Sequence, residues 1–267
     1  MGANDLLKLH QLSAAISELN EDIKRHPTDA RLRTFLFELL CFTGDYERAH
    51  RQLDVIGHQN EQVGIGVEVY KNILRAEVTR RRFFNEGIKP SFLFEPPEHV
   101  ALYIDAHNQL REAHQVEAKA LYERAQRARP EIRGRMKGQP FTSFRDSDDR
   151  LRGILEVIVR DSYIWIPFER IHKVVIPQPK HLRDLLWVPA TVEIEDGPVG
   201  EAFLPVLYAG SELEVDDKVR LGRMTEWLDL GAGLVGGVGQ KTFLVDDREV
   251  SILEVGELEF EVLAAVR

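Results

Sequence analysis

The stretch LSAAISEL at residues 12–19 returns as YERAHRQL at residues 46–53, so that Leu12, Ala15 and Leu19 are matched by Tyr46, Ala49 and Leu53, 34 residues on. That displacement is the tetratricopeptide period, in which small alanine positions let paired helices approach closely. Pro27 lies twelve residues after Ala15, where the repeat places proline. Ala118, Tyr122, Ala125 and Pro130 reproduce the same offsets of 0, 4, 7 and 12.

The surrounding pattern is helical. Leu9, Leu12, Ile16, Leu19 and Ile23 recur at three and four, as on one helix face. Pro27 stops that helix, and Thr28 and Asp29 offer caps for a second, Arg31 to Phe42, which ends at Gly44. Asp45 caps a third helix carrying Tyr46, Ala49, Leu53 and Ile56, and a long helix follows from Asn60 to Asn85. Residues 1–130 are therefore expected to form a small tetratricopeptide-like helical bundle.

Composition changes near RPEIRGRMKGQPFTSFRD, rich in Arg, Gly and Pro, and residues 131–145 read as a basic linker. Beyond it Asp148 is expected to cap a helix through Arg150, Ile154, Leu155 and Ile158. Short β-prone runs follow at Tyr163–Phe168, Lys173–Ile176, Thr191–Glu195, Ala202–Tyr208, Thr242–Val245, Val250–Val255 and Leu258–Leu263. Turns such as Asp196-Gly197-Pro198 bound most of them, and helices near Leu182–Leu186 and Asp216–Leu228 interrupt them. The expected fold class is α+β, with residues 146–267 forming a mixed, largely antiparallel domain.

A formal charge of −9 over 267 residues argues against nucleic-acid binding, which needs a basic face. The single cysteine, Cys41, suits a reducing compartment. The N-terminus lacks the basic and apolar regions of a signal peptide, and Leu6 stands where a myristoylation motif wants Ser or Thr. No apolar run is long enough to span a membrane. A cytoplasmic protein is expected.

Gly231-Ala232-Gly233-Leu234-Val235-Gly236 is a literal dinucleotide fingerprint. Its chemistry needs a helix N-terminus after it to meet pyrophosphate, whereas Gly237, Val238 and Gly239 oppose a helix. A turn leading into a strand is the better reading of residues 231–239. Asp146, Asp148 and Asp149 resemble a calcium loop, but Leu151 and Val157 stand where it needs glycine and an acid. The nine histidines fall in no ligand pattern, and Gly210-Ser211 lacks the second glycine of a nucleophile elbow. No catalytic residue, cofactor site or metal site is expected.

Aromatic residues beside arginines stand out instead: Trp165, Phe168 and Arg170, then Trp187, then Arg223 and Trp227. Trp and Arg are enriched among the residues that anchor protein interfaces, so these six are the candidate partner-binding residues.

Several blocks together resemble the ImpE/TagJ (SciE) family of type VI secretion accessory proteins. In the first half these are Asp29 to Leu40, Gly44 to Ala49, Gln52 to Val55 and Phe94-Glu95-Pro96-Pro97. In the second they are Asp146, Asp148, Arg150, Leu151, the run Tyr163 to Ile171, Leu182 to Leu185, Trp187 to Ala190, Gly210-Ser211 and Arg220 to Trp227. Gly153-Ile154 departs from the family by lacking an expected proline. The resemblance implies a non-catalytic protein that binds the N-terminal helix of the small sheath subunit TssB and modulates sheath turnover by ClpV. It fixes no contact residues one by one. The alternatives are a nucleotide-dependent enzyme centred on residues 231–239 and a repeat scaffold of an unrelated complex.

Overall fold

The computed structural model describes residues 2–59, 64–195 and 197–261. Asn60, Asp196 and Leu263, which belong to three of the expected elements, lie outside them. Seven helices come first: α1 (Ala3–Lys8), α2 (Leu12–Arg25), α3 (Ala30–Phe42), α4 (Tyr46–Gln59), α5 (Gly64–Glu86), α6 (Glu98–Arg111) and α7 (Gln115–Ala128). The 34-residue displacement is visible in the fold, since Leu12 and Tyr46 are the first residues of α2 and α4. Helices pair as α1/α2, α3/α4 and α6/α7. The second helix of each pair carries the repeat alanine, Ala15, Ala49 or Ala118, and each is wholly buried. The first turn of α3 is capped by Asp29, whose carboxylate accepts the Arg31 amide at 2.8 Å. The helix ends at Gly44, whose φ of +68° suits a residue without Cβ.

Strands occupy the second half: β1 (Gly134–Met136), β2 (Gln139–Phe141), β3 (Phe144–Asp146), β4 (Ile154–Val159), β5 (Ser162–Pro167), β6 (Ile171–Val175), β7 (Trp187–Ile194), β8 (Gly197–Pro198), β9 (Ala202–Pro205), β10 (Thr225–Gly231), β11 (Leu234–Gly239), β12 (Thr242–Val245), β13 (Arg248–Ser251) and β14 (Glu257–Phe260). The main sheet runs β2-β1-β14-β6-β7-β9-β4-β5, with β8 on β7, while β13-β12-β3 and β10-β11 form smaller sheets. Every pairing between these strands is antiparallel, in keeping with the largely antiparallel expectation, and one isolated parallel bridge joins Ser91 to Ile164. The fold is α+β.

Three local expectations are corrected. The segment expected to be a linker carries β1 and β2, joined by the two-residue turn Lys137-Gly138, both at positive φ. The helix expected from Asp148 is a turn followed by β4, where Ile154, Leu155, Val157 and Ile158 are all buried. A strand with both faces covered reads as a continuous apolar run, which periodicity alone does not separate from a helix. Asp148 accepts the Arg150 amide at 2.8 Å, making a local turn instead of a helix cap. The helix expected over Asp216–Leu228 shrinks to α8 (Asp217–Arg220), because Gly222 takes φ +62° and the chain leaves as β10.

Helix α5 lies against β5 and ties the two halves together. Phe83 of α5 meets Trp165 edge-on at 4.7 Å between centroids and stacks on His107 at 4.6 Å. Farther into the sheet, Phe144, Phe168, Phe243 and Phe260 form a second aromatic cluster, with Phe144 and Phe168 at 5.0 Å.

Candidate partner-binding groove

A groove of about 830 Å³ opens where the N-terminal helices meet the turn before β7. Leu7 of α1 and Ile56 of α4 line it, as do Ala30, Arg31, Thr34, Phe35, Phe37 and Glu38 of α3. Leu32 lines it as well, and apart from Leu32 the α3 positions form one helix stripe, three and four residues apart. Gly66, Val67 and Tyr70 present a second stripe at the start of α5, and residues Lys180 to Arg183 close the far wall. The lining is mainly apolar, which is what an amphipathic partner requires.

Arg183 joins the walls. Its Nε donates to the Tyr70 hydroxyl at 2.7 Å and its Nη1 to Glu38 Oε1 at 2.9 Å. The guanidinium also lies over the Tyr70 ring, 5.1 Å from its centroid. Burial pushes the Glu38 carboxyl above its ordinary range, and Arg183 opposes that rise without cancelling it. The turn holding Arg183 is fixed from within, since Asp184 Oδ2 accepts the amides of Lys180 at 2.8 Å and His181 at 2.9 Å. Leu182 and Arg183, from one of the blocks that carry the family resemblance, thus form part of one wall of the groove.

None of the six residues expected from sequence to hold a partner lines this groove. Trp165 and Phe168 are fully buried and Trp187 is 2% exposed, so the folded chain offers none of them to a partner. Trp165 packs on α5, and Trp187 Nε1 donates to Glu77 at 2.8 Å. Arg170 pairs with Glu195 at 2.8 Å and covers the Phe94 ring. Arg223 and Trp227 do reach solvent, Trp227 being 40% exposed on β10. The sequence signal for the groove was present in the α3 stripe, but apolar helix positions look alike whether they face the core or an open groove.

The charged residues of the interior form a second constellation. Glu156 of β4 accepts from Arg80 Nε at 2.8 Å, from Lys241 Nζ at 2.6 Å and from the Tyr163 hydroxyl at 2.6 Å. Burial raises its carboxyl, but Arg80 and Lys241 outweigh burial and hold it well below the usual carboxylate range. Lys241 reaches Asp146 at 3.3 Å, and burial pushes that carboxyl up to about 6 despite the lysine. Every member of this network is buried and partnered, so it binds α5 to the sheet and presents no group to a substrate. Lone charges inside apolar runs, such as Glu156 in ILEVIV, were its signal in the sequence.

The glycine run has a structural use. Residues 231–233 turn β10 into β11, with Gly231, Ala232 and Gly233 all at positive φ. Gly236 and Gly237 sit inside β11, and no helix N-terminus follows them. The nucleotide alternative therefore loses the element that would meet a phosphate.

Comparison with known proteins places this geometry in a lineage. Residues 138–259 match the sequence profile of the ImpE protein family. The crystal structure of VPA1032 from Vibrio parahaemolyticus superposes with a TM-score of 0.91 at 27% identity, covering 99% of each chain. The type VI secretion system accessory component TagJ of Pseudomonas aeruginosa is 37% identical over 261 residues, which is 98% of this chain and 92% of that protein. Among the described residues no helix is long and apolar enough to cross a membrane. By this likeness over nearly its whole length, the chain belongs to the ImpE/TagJ family of type VI secretion accessory proteins.

Proposed function

We propose that the protein is a non-catalytic cytoplasmic adaptor that holds the N-terminal helix of the small contractile-sheath subunit TssB. In doing so it modulates sheath assembly or ClpV-driven disassembly. The observation that carries this reading is the apolar groove between the α3 and α5 stripes and the Lys180–Arg183 wall. Two helix faces at three-and-four spacing offer ridges on which a third helix can lie, its anchors at i, i+3, i+4 and i+7. Family membership supports the secretion context.

The test is calorimetric titration of the whole chain with a peptide of the sheath subunit's N-terminal segment. Saturable binding is expected. Absence of heat at high micromolar peptide, with circular dichroism showing folded protein, overturns the proposal.

A further inference from the structure

We infer that the groove is shaped for an acidic amphipathic helix, whose apolar stripe lies on Phe35 and Val67 while its flanking carboxylates meet Arg31 and Lys180. The inference rests on the helix-docking reading above and adds the charge of the occupant, which that reading leaves open.

The charge of the groove runs against that of the chain. The protein carries a formal −9, yet the groove lining holds Arg31, Lys180 and Arg183 against one carboxylate, Glu38. Glu38 is already paired with Arg183 at 2.9 Å, so it offers an occupant little negative charge. Arg31 and Lys180 are exposed, and among the described residues their side chains make no hydrogen bond or ion pair. Neighbouring cations behave differently. Lys71 is bracketed by Asp54 at 2.9 Å and Glu68 at 3.0 Å, and Arg33 reaches Gln52 at 3.1 Å.

Arg31 also stands in the first turn of α3, where the helix dipole disfavours a cation. Lys180 lines the same groove, on a turn pinned by Asp184. Two cations with no partner among the described residues, one on α3 and one on the Lys180–Arg183 turn of an apolar groove, match a helix whose apolar stripe is flanked by acids.

The probes are two designed helical peptides of about 18 residues with the same apolar stripe, one flanked by Glu and one by Lys, alongside the sheath-subunit peptide. Each is titrated into the whole chain by fluorescence anisotropy at about 50 and 500 mM NaCl. The Glu-flanked peptide is expected to bind roughly ten-fold tighter than the Lys-flanked one at low salt, with the advantage shrinking at high salt. The double variant Arg31→Glu/Lys180→Glu, with an unchanged circular dichroism spectrum, is expected to erase that preference. Equal affinities, or a preference that survives the double variant, overturn the charge assignment. If the sheath peptide binds while the designed pair shows no preference, only this inference fails. If the sheath peptide does not bind either, the docking reading fails with it.

Discussion

Arg80 of α5 and Glu156 of β4 form a two-pronged ion pair, Nε to Oε1 at 2.8 Å and Nη2 to Oε2 at 3.0 Å, inside the junction of the helical and sheet halves. Arg80 also donates to the Leu207 carbonyl at 2.9 Å, so one side chain ties α5 both to β4 and to the segment after β9. A charge so enclosed is tolerated only with its partner in place. Arg80→Met leaves Glu156 with Lys241 and the Tyr163 hydroxyl, and is expected to destabilise the fold by roughly 3–5 kcal/mol in urea denaturation. Adding Glu156→Gln should recover part of that loss by removing one of the two carboxylates left sharing Lys241. A single-variant cost below about 1 kcal/mol would show that the pair does not hold the junction.

The three tryptophans have separable environments. Trp165 and Trp187 are enclosed while Trp227 lies at the surface, so acrylamide should quench one class of emission and spare the other. Trp227→Phe is expected to remove the quenchable class and to change stability by less than about 0.5 kcal/mol. Trp187→Phe deletes the donor to buried Glu77 and should cost roughly 1–3 kcal/mol. Persistent quenching in Trp227→Phe would contradict this placement.

The same tryptophans mark where sequence reading reached its limit. Alanines and prolines at a fixed period specify helix pairs, because close approach of two helices demands small residues at set places. That part of the fold was legible in Ala15, Ala49 and Ala118. An aromatic beside an arginine carries no comparable constraint. Trp165 and Trp227 share that local pattern, yet one lies under α5 and the other on a two-stranded ribbon, a difference made by long-range packing. The groove was illegible for the same reason. Its walls come from α3, α5 and a turn well over a hundred residues farther on.

Acid sensitivity should reside partly in His107. It is buried in α6, its Nε2 donates to the Phe84 carbonyl at 3.2 Å, and burial with nearby Arg150 lowers its pKa from 6.5 to about 4. Between those values the unfolded chain binds a proton that the folded chain refuses, so stability falls as pH drops through the window, by up to roughly 3 kcal/mol. Asp146, pushed up to about 6 from 3.8, acts in the opposite sense over most of the same range. Comparison with His107→Gln isolates the histidine. The stability of the wild type relative to this variant should decline by about 2–3 kcal/mol between roughly pH 7 and pH 4.5. A difference that stays constant with pH would show that His107 does not titrate differently in the folded state.

Gly237 offers a decision between packing and phosphate chemistry for the glycine run. A Cβ at this position would be driven into the Tyr208 ring. That ring cannot retreat easily, because its hydroxyl donates to Asp146 at 2.8 Å and also lies 3.0 Å from the Thr242 carbonyl. The Gly237 amide is itself held by Asp148 Oδ2 at 2.9 Å. Gly237→Ala is therefore expected to cost roughly 1–3 kcal/mol, a fall of several degrees in Tm for a chain of this size. If the glycines serve packing alone, ATP, GTP, NAD and SAM should each leave the Tm of the unmodified protein where it was, and the variant should be depressed equally with or without them. A stabilisation of several degrees by any of the four, lost in Gly237→Ala, would return residues 231–239 to nucleotide binding and displace the packing account.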